Sequence, residues 1–435
     1  LKRIKNHTLS KLSIPETDKT VLSSYKKTVM ANGVRVVSEY LPHVRSVSLG
    51  IWIDIGSRYE TDLDNGITHF IEHMVFKGTQ KRSTLAIAQS LEMVGGYLNA
   101  FTGKEHTCFY ARVLDEHVEL AMDVLSDMII NPTFPSKEIV KEKNVVIEEL
   151  HEAEDDPDDV IHDYFEKILF GSHPLALPVI GTEKSIRAFT RKQLSNFRRI
   201  HYAPERIVVA AAGNITHDEA VRLSHRYLGI LKSQGKPEQA PPAALPSISH
   251  GRFDYKRHIT QSHICMGTVG FDIRHKKRFP LQVLSTLMGD GMSSRLFQNI
   301  RERYGFAYAV YSFNNHLSDT GSFGAYIGTD DQHVDRCIDL LWKEFKNLQS
   351  VPIKKKEIDR AKSQLKGSLM LGLESTSNRM LRLGSSELYF GELSSQDAIL
   401  QWIESVTVEQ VEEVARELFH DSRFITIVFR PEKEK

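Results

Sequence analysis

HVELAMDVL at residues 117–125 returns as HVDRCIDLL at 333–341, 216 positions further along the chain. Three more pairs repeat in the same order. KEIV (137–140) matches KEID (356–359) at 219, LFG (169–171) matches YFG (389–391) at 220, and RIVV (206–209) matches RFIT (423–426) at 217. One such match is weak, but four at nearly constant offset describe a duplication. The 435 residues then read as two copies of one unit, in keeping with a length well above that of a usual single domain. Between the copies, KSQGKPEQAPPAALPSISH (232–250) holds four prolines and little hydrophobic periodicity, the composition of a linker. The expected organisation is a first domain over 1–231, with 1–29 as a flexible lead-in, and a second domain over 251–435.

Within the first copy, VRVVSEY (34–40) and SVSLGIWIDIG (46–56) are β-branched with partial alternation and predict strands. Residues 66–77 and 84–94 predict helices, NAFTGKEHTCFYARV (99–113) a hairpin, and 116–130 an amphipathic helix. A long helix is expected from Pro135 to about Asp156, stopped by Pro157, and a short buried strand in IVVAAAG (207–213) after Pro204. This mixture implies an α+β fold: two homologous α/β sandwich domains, each with helices packed on one face of a mostly antiparallel sheet.

Lysine plus arginine and aspartate plus glutamate both total 56, so the chain lacks the basic excess of a general nucleic-acid binder. With 41% hydrophobic residues it can bury a large core, yet no run of 18 apolar residues could span a membrane. Neither nucleic acid nor membrane is an expected partner. The cysteines, Cys108, Cys265 and Cys337, are odd in number and far apart, which excludes a disulfide framework and fits a reducing compartment. Residues 1–29 show no apolar signal core, and a cytoplasmic location is expected.

The chemistry concentrates in His69-Phe70-Ile71-Glu72-His73. On a helix, positions i and i+4 share one face with i+3 beside them, so two imidazoles and a carboxylate converge. Two neutral histidines at this spacing can hold one zinc ion, while the intervening glutamate can take a proton from a water activated by that ion. A third, anionic ligand is sought on the long helix, where Glu138, Glu142 and Glu149 share one stripe. Glu148 points about 100° away from Glu149 and is the poorer candidate. Glu149 as ligand, with Glu142 as a carboxylate supporting a ligand, is the preferred reading.

H-x-x-E-H followed by E-x6-E resembles the inverzincins. Over nearly the whole chain, from Asn32 to about Arg430, the sequence is similar to the bacterial members of the pitrilysin family that are close to the mitochondrial processing peptidase β subunit. The segments carrying the resemblance are GSRYET (56–61), NGITHFIEHMVFKGT (65–79), GGYLNAFTGKEHTCFYA (95–111), EKNVVIEEL (142–150) and SSRLFQNIRERYGFAY (293–308). It implies His69, His73 and Glu149 as zinc ligands, Glu72 as general base and Glu142 as the supporting carboxylate. It also implies that Arg301 and Tyr308 stabilise the oxyanion from a partner subunit, and that Asn99, Ala100 and Phe101 dock an extended peptide.

The expected activity is therefore a zinc-dependent endopeptidase acting on peptides or presequence-like segments inside a clamshell dimer. The dimer is a homodimer or a heterodimer with an inactive homologue. Relatives of this fold also serve as non-proteolytic core or scaffold subunits, but those commonly lose ligands, and here all are present. Moved by 219 positions, Glu142 and Glu149 land on Ala361 and Ser368, and residues 281–289 hold no His or Glu. One zinc per chain is expected, with the second domain metal-free.

Overall fold

The computed structural model describes residues 25–235, 239–243 and 250–432. The strands of the first half are β1 (Tyr25–Val29), β2 (Arg35–Tyr40), β3 (Ser46–Ile53), β4 (Tyr97–Thr102), β5 (Thr107–Leu114) and β6 (Ile207–Gly213). Those of the second are β7 (Gly251–Arg257), β8 (Ser262–Val269), β9 (Ala307–His316), β10 (Gly321–Thr329) and β11 (Ile425–Pro431). The sheets run β1-β2-β6-β3-β5-β4 and β7-β11-β8-β10-β9. Without β1 the two orders are the same, and each sheet has a single parallel pair, β2 with β6 and β7 with β11. The duplication legible in short sequence matches is thus repeated strand by strand. As expected, both sheets are mostly antiparallel.

The first half contributes α1 (Ile67–Val75), α2 (Thr84–Glu92), α3 (Val118–Ile130), α4 (Ser136–Asp155), α5 (Pro157–Phe170), α6 (Glu183–Ala188), α7 (Arg191–His201) and α8 (His217–Leu228). The second contributes α9 (Arg278–Gly289), α10 (Val334–Ser350), α11 (Lys355–Gly372), α12 (Thr376–Phe390), α13 (Gln396–Ser405) and α14 (Val408–Leu418). Among the described residues no helix is long and apolar enough to cross a membrane. Each half has its own core, one built around Leu49, Phe70, Met74 and Leu125, the other around Leu284, Phe323, Leu341 and Phe345.

One feature was not expected: each sheet's other face is covered by a helix from the opposite half. From α5, Ile161, Phe165 and Leu169 pack on Cys265, Ile427 and Phe429 of the second sheet. From α12, Met380 and Leu383 pack on Val37, Trp52 and Val208 of the first. α5 and α12 end in the LFG and YFG repeats, so the exchange follows the duplication. It demands close approach. A Cβ on Gly384 would sit 2.1 Å from Trp52 Nε1, and one on Gly50 would sit 2.3 Å from Met380 Sδ.

The expected lead-in and the expected linker both contain residues held by the fold. Residues 25–29 of the lead-in form β1, held by antiparallel pairing to β2 and by Lys27 on the buried Glu387 of α12 at 2.7 Å; residues 1–24 lie outside the described residues. Part of the linker is tied down rather than free. Arg58, only 2% exposed, donates to Pro241 O at 2.7 Å while pairing with Glu105 and Asp319, each at 2.6 Å. A buried guanidinium with this many acceptors fixes a linker carbonyl and turns from both halves in one place. Linker residues 236–238 and 244–249 lie outside the described residues.

Candidate metal centre

α1 begins where Gly66 adopts φ +86°, a left-handed conformation that favours glycine. A Cβ there would also meet Ile180 O at 2.5 Å. No side chain of the capping residue serves the first turn. Glu60, 1% exposed, does so instead, accepting from the Gly66 N–H at 2.7 Å and the Thr68 N–H at 2.9 Å. Burial pushes its carboxyl up to about 7, although these hydrogen bonds pull the other way. Phe70, Ile71 and Met74 are fully buried on the core side of α1, which turns His69, Glu72 and His73 toward α4 and β4.

α4 is seated by Ile139, Val146 and Ile147 in the first core. The chain enters it through Phe134, a buried residue with φ +45°, and Pro135. The expected helix is found, and Pro157 opens the next one. Glu142 and Glu149 face α1 from one stripe, whereas Glu148 is exposed and Glu138 pairs with Lys141 at 2.8 Å.

One ligand atom each from His69, His73 and Glu149 lies within 4.8 Å of the others, and among the described residues this is the one such group. His69 Nε2 is 3.7 Å and His73 Nε2 3.4 Å from the Glu149 carboxylate oxygens. These separations are long for hydrogen bonds but close to the roughly 3.3 Å between ligands that share a tetrahedral zinc. Burial, with His73 beside it, pushes His69 down to about 4, so it stays neutral and able to donate a lone pair. His73 is shifted upward. Burial opposes this, but the hydrogen bond that Nδ1 donates to Glu142 at 2.9 Å and the charges of Glu149, Glu142 and Glu72 outweigh it. Carboxylates that favour a proton there favour a metal cation equally well. The donor set therefore fits zinc: two imidazoles, one carboxylate, and Glu142 holding the far nitrogen of one ligand.

Glu72 stands beside this group. Burial raises its proton affinity, partly countered by the Thr102 hydroxyl, which donates to Oε2 at 2.5 Å. Thr102 ends β4, which among the described residues is an edge strand paired with β5 alone. Asn99, Ala100 and Phe101 lie on that edge, and the Ala100 N–H is accepted by Asn99 Oδ1 at 2.9 Å. His69, Glu72, His73, Glu142 and Glu149 thus meet in one place, and β4 runs beside Glu72.

Two protein-family models match the chain. Residues 35–183 match the model described as Insulinase (Peptidase family M16), and residues 188–365 the one described as Peptidase M16 inactive domain. An uncharacterized zinc protease of Bacillus subtilis, YmxG, is 40% identical over 403 residues, covering 93% of this chain and 98% of that protein. The chain belongs to the M16 peptidase family. Another M16-like relative, an uncharacterized zinc protease of Streptomyces coelicolor, is 40% identical over 95% of this chain and 91% of its own length. The crystal structure of a protease from Helicobacter pylori superposes with a TM-score of 0.87 at 22% identity, covering 94% of this chain and 99% of that one, a likeness of M16 fold.

Arg301 and Tyr308 lie in the second half of the chain, on elements other than α1 and α4, which carry His69, His73 and Glu149. Arg301 lies on a π-helical turn, Phe297–Glu302, with its guanidinium 4.9 Å from the centre of the Phe297 ring. Tyr308, on the edge strand β9, is 76% exposed rather than a core residue. Among the described residues neither makes a hydrogen bond or ion pair with His69, His73 or Glu149. Sequence reasoning passed over Glu60, Lys77 and Arg58. Lys77 could have been found, because it continues the i, i+4 stripe of His69 and His73. Glu60 and Arg58 sit in an irregular segment where no periodicity marks them.

Proposed function

We propose that the protein is a zinc-dependent endopeptidase that hydrolyses peptides bound in extended form along β4. The observation that carries this reading is the convergence of His69, His73 and Glu149 beside a Glu72 carboxylate held by Thr102. Zinc, one ion per chain, supplies Lewis acidity to the scissile carbonyl and makes water nucleophilic near neutral pH. Glu72 accepts the proton of the attacking water and passes it to the leaving amine, a role suited to a carboxylate whose proton affinity is raised by burial. The peptide adds to the free edge of β4, and a peptide carbonyl takes the Ala100 N–H from Asn99.

Arg301 and Tyr308 steady the oxyanion from a partner subunit, a homodimer mate or an inactive homologue. The exposure of both side chains supports donation in trans. Exposed Glu152, Glu154, Asp155 and Asp159 lie on or just beyond the helix that bears Glu149, which favours basic, presequence-like peptides. Asp158 is different, since it accepts the Tyr311 hydroxyl at 2.6 Å. All three cysteines are free and buried, in keeping with a reducing, cytoplasmic setting. Glu72→Gln should retain one zinc and lose cleavage of a mixed peptide library. Cleavage by this variant at the wild-type rate would defeat the assignment of Glu72.

A further inference from the structure

We propose that Lys77 is a positioning residue of the metal centre, acting on His73 through Glu142. The inference rests on the zinc reading above. His69, His73 and Lys77 stand at successive i, i+4 positions on α1 and the turn that follows it. The turn keeps Lys77 in register, with its N–H bonded to Met74 O at 3.2 Å. The first two positions carry imidazoles toward Glu149, and the third carries an ammonium toward the carboxylate behind them.

Glu142 is 3% exposed, and each of its oxygens has a separate partner from the α1 segment. Oε1 meets His73 Nδ1 at 2.9 Å, and Oε2 meets Lys77 Nζ at 2.7 Å. A carboxylate held at one oxygen can still roll about its terminal bond; held at both, its plane is fixed. That plane sets the direction from which Oε1 meets Nδ1, and the ring then aims Nε2 at Glu149, 3.4 Å away. The contacts run Lys77–Glu142–His73–Glu149 without a gap. Outer partners of this kind orient metal ligands, and their loss weakens metal binding. Lys77 also gives a buried carboxylate its one lysine or arginine partner among the described residues, where the ion pairs of Glu142 are with His73 and Lys77.

Lys77 is 26% exposed and its stem lines a surface cavity with Lys81 and Arg82, so methionine can replace the stem without opening the core. Zinc dissociation constants would be measured on apo protein with a competing chromophoric chelator, for wild type, Lys77→Met, Lys77→Arg, Glu142→Gln and the Lys77→Met/Glu142→Gln pair. Circular dichroism of each apo protein checks its fold. Lys77→Met should bind zinc on the order of 10-fold more weakly. Lys77→Arg should recover most of the loss, and Lys77→Met should add less than about twofold in the Glu142→Gln background, where the carboxylate is already gone. Wild-type affinity in Lys77→Met, or an equal loss with and without Glu142, would overturn the inference while leaving the zinc site standing. A wild-type chain that takes up no zinc would overturn both.

Discussion

Alanine at Gly384 and alanine at Gly367 are the same substitution in two helices, and the fold gives them opposite signs. At Gly367, on α11, an added Cβ meets nothing within 4 Å. The only effect is helix propensity, a gain of about 1 kcal/mol. At Gly384, on α12, the Cβ would lie 2.1 and 2.2 Å from two atoms of the Trp52 indole, which is itself 2% exposed. Carbon contacts are optimal at about 3.5–4.0 Å, so α12 must move off the sheet by more than 1 Å or Trp52 must leave its rotamer. Overpacking of that size costs about 3 kcal/mol, and the propensity gain offsets about 1 of it, a net loss of about 2 kcal/mol. The two variants should therefore differ by about 3 kcal/mol. Urea unfolding followed by far-ultraviolet circular dichroism measures both, with slopes compared to show that one transition is being scored. A Gly384→Ala protein as stable as Gly367→Ala would mean that α12 does not lie on the first sheet, and the exchange of helices between halves would be refuted.

Three further outcomes follow from the site and its supports. Thr102→Val removes the hydroxyl that lowers the proton affinity of Glu72, so the acidic limb of the pH–rate profile should move to higher pH; an unmoved limb would separate Thr102 from the base. The folded-state pKa of Glu60 is raised from 4.5 to about 7, so folding favours its protonated form. Its contribution to stability should be lost as pH rises from about 4.5 to about 7, by about 3 kcal/mol, so the fall measured across that range should be smaller by about that amount in Glu60→Gln. Arg58→Met leaves Glu105 buried without its cation and should cost about 3–5 kcal/mol in denaturant titrations, whereas a loss under 1 kcal/mol would show that the linker and the two turns are held by something else.

The parts of the molecule legible in sequence are those in which chemistry and periodicity coincide. H-x-x-E-H and E-x6-E could be placed on shared helix faces because 3.6 residues per turn decides which side chains meet, and both faces meet in the fold. The duplication was legible because four short matches recur at nearly constant offset, and the strand order repeats with them. The helix exchange was not. The apolar stripe of α5, Ile161, Phe165 and Leu169, shows that a sheet must cover it but not which sheet. The same limit hid Arg58 and Glu60, whose burial depends on turns and a linker distant in sequence, and it left β1 inside a supposed lead-in because an edge strand of YKKTV has little apolar pattern. Arg301 and Tyr308 mark another limit. A pair seven residues apart can be matched to a role by resemblance, but the spacing does not say which surface receives it.

The most direct test is a crystal of the zinc-loaded protein measured on both sides of the zinc absorption edge. The account predicts a single anomalous peak per chain, ligated by His69 Nε2, His73 Nε2 and a Glu149 carboxylate oxygen, with Glu142 still on His73 Nδ1 and no zinc between α9 and α11. A peak elsewhere, or none at the His69–His73–Glu149 group in zinc-loaded protein, would contradict it.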